Sequence, residues 1–320
     1  MLRTKYVHTL CRIIGPHIAK VIDPRDGWPG IVELQLSTGA AKFSVHVGTI
    51  SSHARKPHEF RFQGPVKRPM ITLPDTTSLL VGMWTKSSPN VLVATNADLR
   101  LGDMARITIL FPNRLFQEAQ QFGWAEPYRN KKGGMHWSFF PQLLPTFVEL
   151  AQAGIDLIPK DVQVAVVGTG LADDPTEAAA ARARQATTRL IRDASFGKSV
   201  VEAYGSKCAM CGLNHGLVSG AHILPVSAVG SIDQPINGVA LCENHHRAFD
   251  RHRIWVHPID RTLKIHPKIL QLSDSDRPTK AFLEAMFPML SGPIDPKLKP
   301  QARMFEERYA HYEGNYGWAE

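Results

Sequence analysis

The first half of the chain alternates between short apolar runs and turn residues, a pattern typical of a strand-rich domain. Apolar, β-branched segments predict five strands, at 31–38, 41–50, 78–84, 90–96 and 105–111. The sequence Lys-Ser-Ser-Pro at 86–89 separates the third segment from the fourth and predicts a hairpin turn. We expect Pro112 to end the last strand, because proline has no amide hydrogen for the ladder.

Apolar residues at helical spacing predict several helices. Leu115, Phe116, Ala119 and Phe122 lie on one side of a predicted helix over 113–122, which begins at Asn113. Further helices are predicted over 142–153, 279–287 and 303–312. Together with the strands, the helices at 113–122 and 142–153 predict an α+β fold for the first half.

A change of composition at 168–186 predicts the domain boundary. This stretch is rich in Gly, Asp, Pro and Ala, and we interpret it as a linker that leads into an Ala/Arg-rich helix. The predicted domains are therefore a basic α+β domain at 1–167 and a second domain at 187–320. Gly168-Thr169-Gly170 hints at a nucleotide-binding turn. We reject it because acidic residues follow where a helix N-terminus would hold phosphate.

Composition and charge indicate which class of molecule the protein binds. With 320 residues, 43% hydrophobic and 21% charged, the chain has the composition of a globular protein of about two domains. Its net charge of +8 lies in the first half, since residues 1–160 contain 19 Lys and Arg against 11 Asp and Glu, whereas 161–320 contain 18 of each. A basic half favours a polyanion such as DNA. A basic protein without such a partner is the alternative.

No segment of the sequence indicates a membrane protein. No run approaches the ~18 apolar residues of a spanning helix, and the N-terminus lacks the long apolar region of a signal peptide. Its Arg- and Lys-containing start also fits a transit peptide. Four cysteines are too few for a secreted disulfide scaffold, so we expect a reducing, cytoplasmic compartment.

Three of the four cysteines form a metal-binding pattern. Cys208 and Cys211 are separated by two residues, and about thirty residues later Cys242 and His245 have the same spacing. Two such pairs make a Cys3His donor set, which suits tetrahedral Zn²⁺ and would join two distant segments. Two unrelated buried pairs are the alternative interpretation.

His222, Asn237 and His246 follow within the same segment, at intervals of 15 and 9 residues. With the surrounding sequences YGSKCAMCGL, GAHILPVS, NGVALC and HHRAFDRH, this order closely resembles the HNH nucleases, in their restriction-type branch with a zinc-stapled core. The resemblance covers about residues 187–290. It implies a ββα-metal fold with a His on the first strand, an Asn in the loop and a His on the helix.

The resemblance also implies roles for these residues. His222 would be the general base that takes a proton from water, and Asn237 would orient the loop by side-chain hydrogen bonds. His246 would hold a single divalent ion, Mg²⁺ or a transition metal, while His245 faces the zinc. Asp250 is four residues from His246 on the same helix face, where it would be a second ligand to the catalytic ion or form a salt bridge with Arg251 or Arg253.

Ala221 departs from the family pattern. Many relatives have Asp or His at this position, immediately before the catalytic histidine, as a metal ligand. Three consequences are open: Asp250 supplies the ligand, the ion is held with more water, or activity is reduced. A non-cleaving zinc-stapled module that binds nucleic acid is therefore one alternative function, and a nuclease of a mobile element or phage is another.

Basic residues in both halves are candidates for contacts with DNA phosphates. They are Arg247, Arg251 and Arg253 in the second half, and Arg55, Lys56, Arg61, Lys67, Arg68, Arg129, Lys131 and Lys132 in the first. Aromatic residues interleave with the first-half clusters, at Phe60, Phe62, Tyr128 and Trp137. They either stack on exposed or flipped bases or, in the case of Phe60, Phe62, Trp137 and also Phe139, fill a core as alternating strand residues.

These predictions combine into one expected function. We expect a metal-dependent DNA endonuclease of restriction or phage-defence type, whose N-terminal domain recognises a sequence or a modified base. The resemblance implies products with 5′-phosphate and 3′-hydroxyl ends. Cleavage of both strands by a domain with one site would favour a homodimer on double-stranded DNA.

Overall fold

The computed structural model describes residues 3–53, 56–86, 88–97, 100–130, 134–154, 159–173, 176–214 and 216–319. The chain divides into two compact units, Met1–Ile191 and Arg192–Glu320. The domain limits predicted from composition stay a prediction.

The first unit combines a large sheet with helices. Its strands are β1 (Ala19–Asp23), β2 (Gly30–Leu36), β3 (Gly39–His53), β4 (Lys56–Gln63), β5 (Thr77–Trp84), β6 (Val91–Asn96), β7 (Thr108–Pro112), β8 (Tyr128–Arg129) and β9 (Met135–Phe139). Its helices are α1 (Thr4–Ile14), α2 (Arg114–Phe122), α3 (Leu144–Ala153) and α4 (Pro159–Val167), and α5 (Glu177–Ala203) begins in this unit. The predicted strands correspond to β2, β3, β5, β6 and β7, and the first two predicted helices to α2 and α3.

The sheet of the first unit is mixed. Its order is β1-β2-β3-β5-β6-β9-β8, with β4 paired to β3 and to β7. Strands β3 and β5 pair in parallel, whereas β5 and β6 form the predicted antiparallel hairpin, with Trp84 opposite Val91. The 15-residue β3 pairs with β2 along its first part and with β4 near its end, so it joins the two parts of the sheet.

The described residues of the first unit form two apolar clusters. One contains residues of α1, α3 and α4 with one side of the sheet, and the other contains residues of α2 with β4 and β7. The interleaved aromatic residues belong to this packing. Phe62 and Phe139 are fully buried, Phe60 contacts Trp84 at a ring-centroid distance of 4.2 Å, and Trp137 contacts Phe147 at 5.3 Å. The core interpretation therefore holds for these four side chains.

The second unit is built around a short hairpin and a helix. Its strands are β10 (Val218–His222), β11 (Gly238–Cys242), β12 (Ile254–Val256) and β13 (Leu263–Ile265). Its helices are α6 (Glu243–Asp250), α7 (Pro267–Ser273), α8 (Arg277–Glu284) and α9 (Ala302–His311), and α5 ends in this unit. The last two predicted helices correspond to α8 and α9.

Two glycines let α5 approach the β10–β11 hairpin closely. A Cβ atom on Gly220 would lie 2.8 Å from the backbone of Gly197, and one on Gly238 would lie 2.3 Å from Val200. These distances are too short for any larger residue without movement of the helix. The approach places Phe196 of α5 beside His222 at the end of β10.

The fold class agrees with the sequence prediction: a strand-rich α+β part precedes a second part with a strand–strand–helix segment. Within the described residues, no helix combines the length and the apolar character that a membrane crossing requires.

Candidate active site and metal centre

The four predicted zinc ligands lie together. The donor atoms of Cys208, Cys211, Cys242 and His245 are all within 4.8 Å of one another. The Cys211 and Cys242 sulfurs are 4.0 Å apart, and His245 Nδ1 lies 3.1 Å from the Cys242 sulfur and 3.6 Å from that of Cys208. Zinc bond lengths and tetrahedral angles place such donors about 3.5–3.8 Å apart. The donor set and its spacing therefore fit one tetrahedral metal ion.

The protonation of the thiols also fits a cation among them. Burial raises the pKa of Cys211 and Cys242, and the neighbouring Cys208 raises both further. Burial opposes ionisation of Cys208 as well, but hydrogen bonds from His245 and from backbone amides outweigh it and lower its pKa. Three thiolates this close repel one another, and a divalent ion at their centre would remove that cost.

The hairpin and the loop between its strands position His222. This residue ends β10, opposite Gly238 of β11. Its ring stacks on Phe196, with centroids 3.6 Å apart and planes at 17°. Its Nε2 lies 2.9 Å from an oxygen of Asp233 in the loop. The ring is thus held on one face by an aromatic side chain and at one nitrogen by a carboxylate.

Helix α6 turns two adjacent histidines to different surroundings, because successive helical residues point about 100° apart. His245 is buried in the cysteine cluster, whereas His246 is partly exposed. Ser219 donates to Glu243 and lies 2.8 Å from Nδ1 of His246. The other ring nitrogen of His246, Nε2, lies 3.4 Å from an oxygen of Asp250.

Asn237 is fully buried and joins the ends of the loop. Its Oδ1 accepts from the amide of Leu224 at 2.8 Å, and its Nδ2 donates to the carbonyls of Leu224 and Ile232, both at 3.1 Å. The backbone of Asn237 also accepts from the amide of Ile223, next to His222. These bonds fix the loop that follows the candidate base.

These residues surround one cleft. A cavity of about 300 Å³ is lined by His222, His246 and Asp250, and also by Asp193, Arg308 and Tyr312. Arg308 is buried, and its guanidinium donates to the carbonyls of Ile223 and Phe249, each at 2.8 Å. The arrangement brings a candidate base and two candidate metal donors to a single concave surface.

The comparison with protein families decides what this segment is. Residues 208–257 match a family model described as HNH endonuclease. The segment is an HNH endonuclease domain. The resemblance read from its motifs is confirmed, and the two strands, the loop and α6 are the parts that carry the HNH residues.

Comparisons of the whole chain with solved structures and with curated proteins add little to the HNH match. One solved structure, described as a modification dependent TagI restriction endonuclease, aligns with 86% of this chain and 85% of its own, at 12% identity and a TM-score of 0.32. A search of curated proteins finds no match.

The predicted phosphate contacts occupy different environments. In the HNH domain, Arg247, Arg251 and Arg253 are exposed. In the first unit, Lys67 and Arg129 are exposed, Arg61 is partly buried, and Arg68 pairs with Asp26. Arg55, Lys131 and Lys132, and the side chain of Lys56, lie outside the described residues.

Sequence reasoning missed several residues that line the cleft or support it. Phe196 and Asp233 contact His222, and Arg192 contacts Asp233. Arg308 lies 85 residues from its acceptor at Ile223. Asp233 carries a weak signal, as an acidic residue in the loop between His222 and Asn237. Arg192 and Arg308 carry none, because their partners are set by the fold.

Proposed function

We propose that this protein is a metal-dependent endonuclease that hydrolyses phosphodiester bonds of DNA in the cleft of its HNH domain. The observation that carries the proposal is the convergence of His222, His246 and Asp250 on one cavity within the segment that matches the family. Phosphodiester hydrolysis needs a base for the attacking water and stabilisation of the phosphoryl and leaving oxygens. The cleft offers a candidate for each task.

His222 is the group that would remove the proton from water. Asp233 occupies Nε2, so Nδ1 is the nitrogen available to accept a proton. The water oxygen then forms a bond to phosphorus as the bond to the leaving oxygen breaks. Imidazole suits this role because it exchanges protons near neutral pH.

His246 and Asp250 are the proposed donors for the catalytic divalent ion. An imidazole nitrogen 3.4 Å from a carboxylate oxygen suits Mg²⁺ or a transition metal that keeps several waters. When bound, such an ion stabilises charge on the phosphoryl and leaving oxygens. Cys208, Cys211, Cys242 and His245 would hold a separate zinc ion that joins the hairpin to the preceding turn.

The finer proposal is a restriction or phage-defence enzyme whose first unit recognises double-stranded DNA, by sequence or by a modified base. The excess of basic residues in the first half supports a DNA-binding role there. An HNH core reads few base edges, so sequence preference would come from another module. A homodimer would match cleavage of both strands.

Cleavage of plasmid DNA with Mg²⁺ or Mn²⁺ tests the proposal. Unmodified, methylated and hydroxymethylated plasmids are compared for the wild type and for His222→Ala, with Glu306→Gln on the exposed side of α9 as control. We expect the wild type and the control to cut at least one substrate, and His222→Ala to lose about 100-fold or more in rate. Equal cutting by His222→Ala would overturn the assignment of the base.

Ala221 favours a second candidate, a zinc-stapled module that binds DNA without cutting it. This buried alanine occupies the position at which many relatives have a metal ligand. If the wild type binds DNA but cuts none of the three substrates with either ion, the second candidate replaces the endonuclease.

A further inference from the structure

The imidazole of His222 is held by a pair of charged residues that the HNH motif does not include. Nε2 of His222 lies 2.9 Å from Oδ1 of Asp233, and the other oxygen of Asp233 lies 3.0 Å from Nε of Arg192. Arg192 lies on α5, one turn before Phe196, whose ring stacks on the imidazole. Three residues distant in sequence thus fix one ring.

The chemistry of the carboxylate sets the tautomer of the imidazole. An ionised carboxylate only accepts hydrogen bonds, so Nε2 must carry the proton and Nδ1 must carry the lone pair. Nδ1 has no hydrogen-bond partner in the part of the chain that the structure describes, and the ring lines the cleft. The ring is therefore held in the protonation state that a general base needs.

We infer that Asp233, held in turn by Arg192, is a positioning residue that fixes His222 in the Nε2-protonated tautomer and aims Nδ1 at the attacking water. The inference rests on the proposed function and deepens it. As His222 gains a proton at Nδ1, the adjacent carboxylate stabilises the imidazolium that forms. Asp233 itself does not touch substrate in this scheme.

The neighbouring charges support this role over the alternatives. Both oxygens of Asp233 are engaged, one by His222 and one by Arg192, which makes Asp233 a poor metal ligand. The other charged or titratable groups that line the cleft with His222 are Asp193, His246, Asp250, Arg308 and Tyr312. Among the described residues, Asp233 is the one carboxylate within hydrogen-bond distance of the His222 ring.

Histidine NMR of the full chain tests the inference without any need for cleavage. In protein with ¹⁵N-labelled histidine, with His222 assigned from the spectrum of His222→Ala, long-range ¹H–¹⁵N correlations report which ring nitrogen carries the proton. We expect the Nε2–H tautomer in the wild type and a mixture of tautomers in Asp233→Asn. Arg192→Gln should give a smaller change, because Asp233 remains. Glu306→Gln serves as the control, since this exposed carboxylate lies on α9, outside the residues that line the cleft.

Cleavage kinetics supply the second readout. We expect Asp233→Asn to lower kcat about 10- to 100-fold with little change in KM, as for other groups that act through a reacting residue. A residue that only supports the fold would lower the rate without changing the tautomer of His222 that the NMR spectrum reports.

The two readouts separate this inference from the proposed function. If no variant and no wild type cuts DNA but the tautomer changes in Asp233→Asn, the nuclease proposal fails and the positioning of His222 stands. If the wild type cuts and Asp233→Asn retains both the wild-type tautomer and the wild-type kcat, the inference is overturned. A faster Asp233→Asn would also overturn it, since Asp233 would then restrain the base.

Discussion

At the scale of single residues, histidines occupy different environments in the two units. His222 and His246 line a cleft, whereas His46 and His136 of the first unit are fully buried. Burial lowers the pKa of both His46 and His136 to about 4, since the charged imidazole loses its hydration. Two buried neutral histidines tie the stability of the first unit to pH.

The sign of this dependence follows from proton binding. Between pH 6.5 and pH 4, an unfolded histidine binds a proton that the folded chain excludes. The free energy of unfolding should therefore be greatest above pH 6.5 and fall as the pH decreases to 4, by up to about 3 kcal/mol per histidine. His46→Gln, which cannot titrate, should flatten the dependence, while exposed His8→Gln should not. The measurement is the urea concentration at which the β3 amides lose half of their protection in pulsed hydrogen exchange, followed as a function of pH. If this midpoint depends on pH equally in His46→Gln and in the wild type, the predicted role of His46 is wrong.

At the scale of elements, the HNH domain is completed by a helix that its motif does not contain. Arg308 of α9 donates to the carbonyl of Ile223, which follows His222, and to the carbonyl of Phe249, which precedes Asp250. Its Nε donates to the hydroxyl of Tyr316 at 2.8 Å. One guanidinium therefore holds the strand with the candidate base and the helix with the metal donors at a fixed separation.

Loss of this link should lower both the stability of the second unit and the rate of cleavage. Lysine keeps the charge of Arg308 but cannot make three hydrogen bonds in the same plane, so Arg308→Lys should leave a buried carbonyl unpaired. We expect a loss of about 1–3 kcal/mol in unfolding free energy. Because both sides of the cleft shift, we also expect cleavage to fall about 10-fold or more, measured on a protein shown to be folded by circular dichroism.

The control for this variant lies on the same helix. Arg303 is exposed and pairs with Glu307 at 3.8 Å, so Arg303→Lys should change neither quantity by a measurable amount. If Arg308→Lys cuts DNA at the rate of Arg303→Lys, α9 has no part in holding the cleft.

At the scale of the whole molecule, the sequence predicted the parts whose partners are close along the chain. The spacings of Cys208, Cys211, Cys242 and His245 placed four donors together because each pair needs only a tight turn. His222, Asn237 and His246 were likewise recognised from their order and spacing within one segment. The pairing of β3 with β5 and the ion pair of Asp233 with Arg192 depend on the packing of separate elements, so no local sequence pattern indicates either of them.

The fourth cysteine offers a matched control for the metal centre. Cys11 is buried in α1, and burial raises its pKa to about 12, so it is a neutral core residue of the first unit. We expect about one tightly bound zinc per chain, lost in Cys208→Ser and retained in Cys11→Ser, by elemental analysis. Each unit has its own core, so loss of zinc should unfold the second unit while the β3 amides stay protected. Zinc retained in a folded Cys208→Ser protein would contradict the assignment.

The basic residues of the first unit provide the last prediction, which concerns how the whole molecule holds DNA. Lys67 and Arg129 are exposed, whereas Arg68 already has a carboxylate partner in Asp26. Each phosphate contact that is lost should reduce the slope of log affinity against log salt by about 0.9. The double variant Lys67→Gln/Arg129→Gln should therefore lower this slope by about 2 and leave the zinc content unchanged. Arg68→Gln should lower it less, because Asp26 already neutralises the charge of Arg68. Lys297→Gln, on the exposed surface of the second unit, is the control. Equal slopes for the wild type and the double variant, in fluorescence anisotropy over a salt series, would show that these two side chains do not contact DNA.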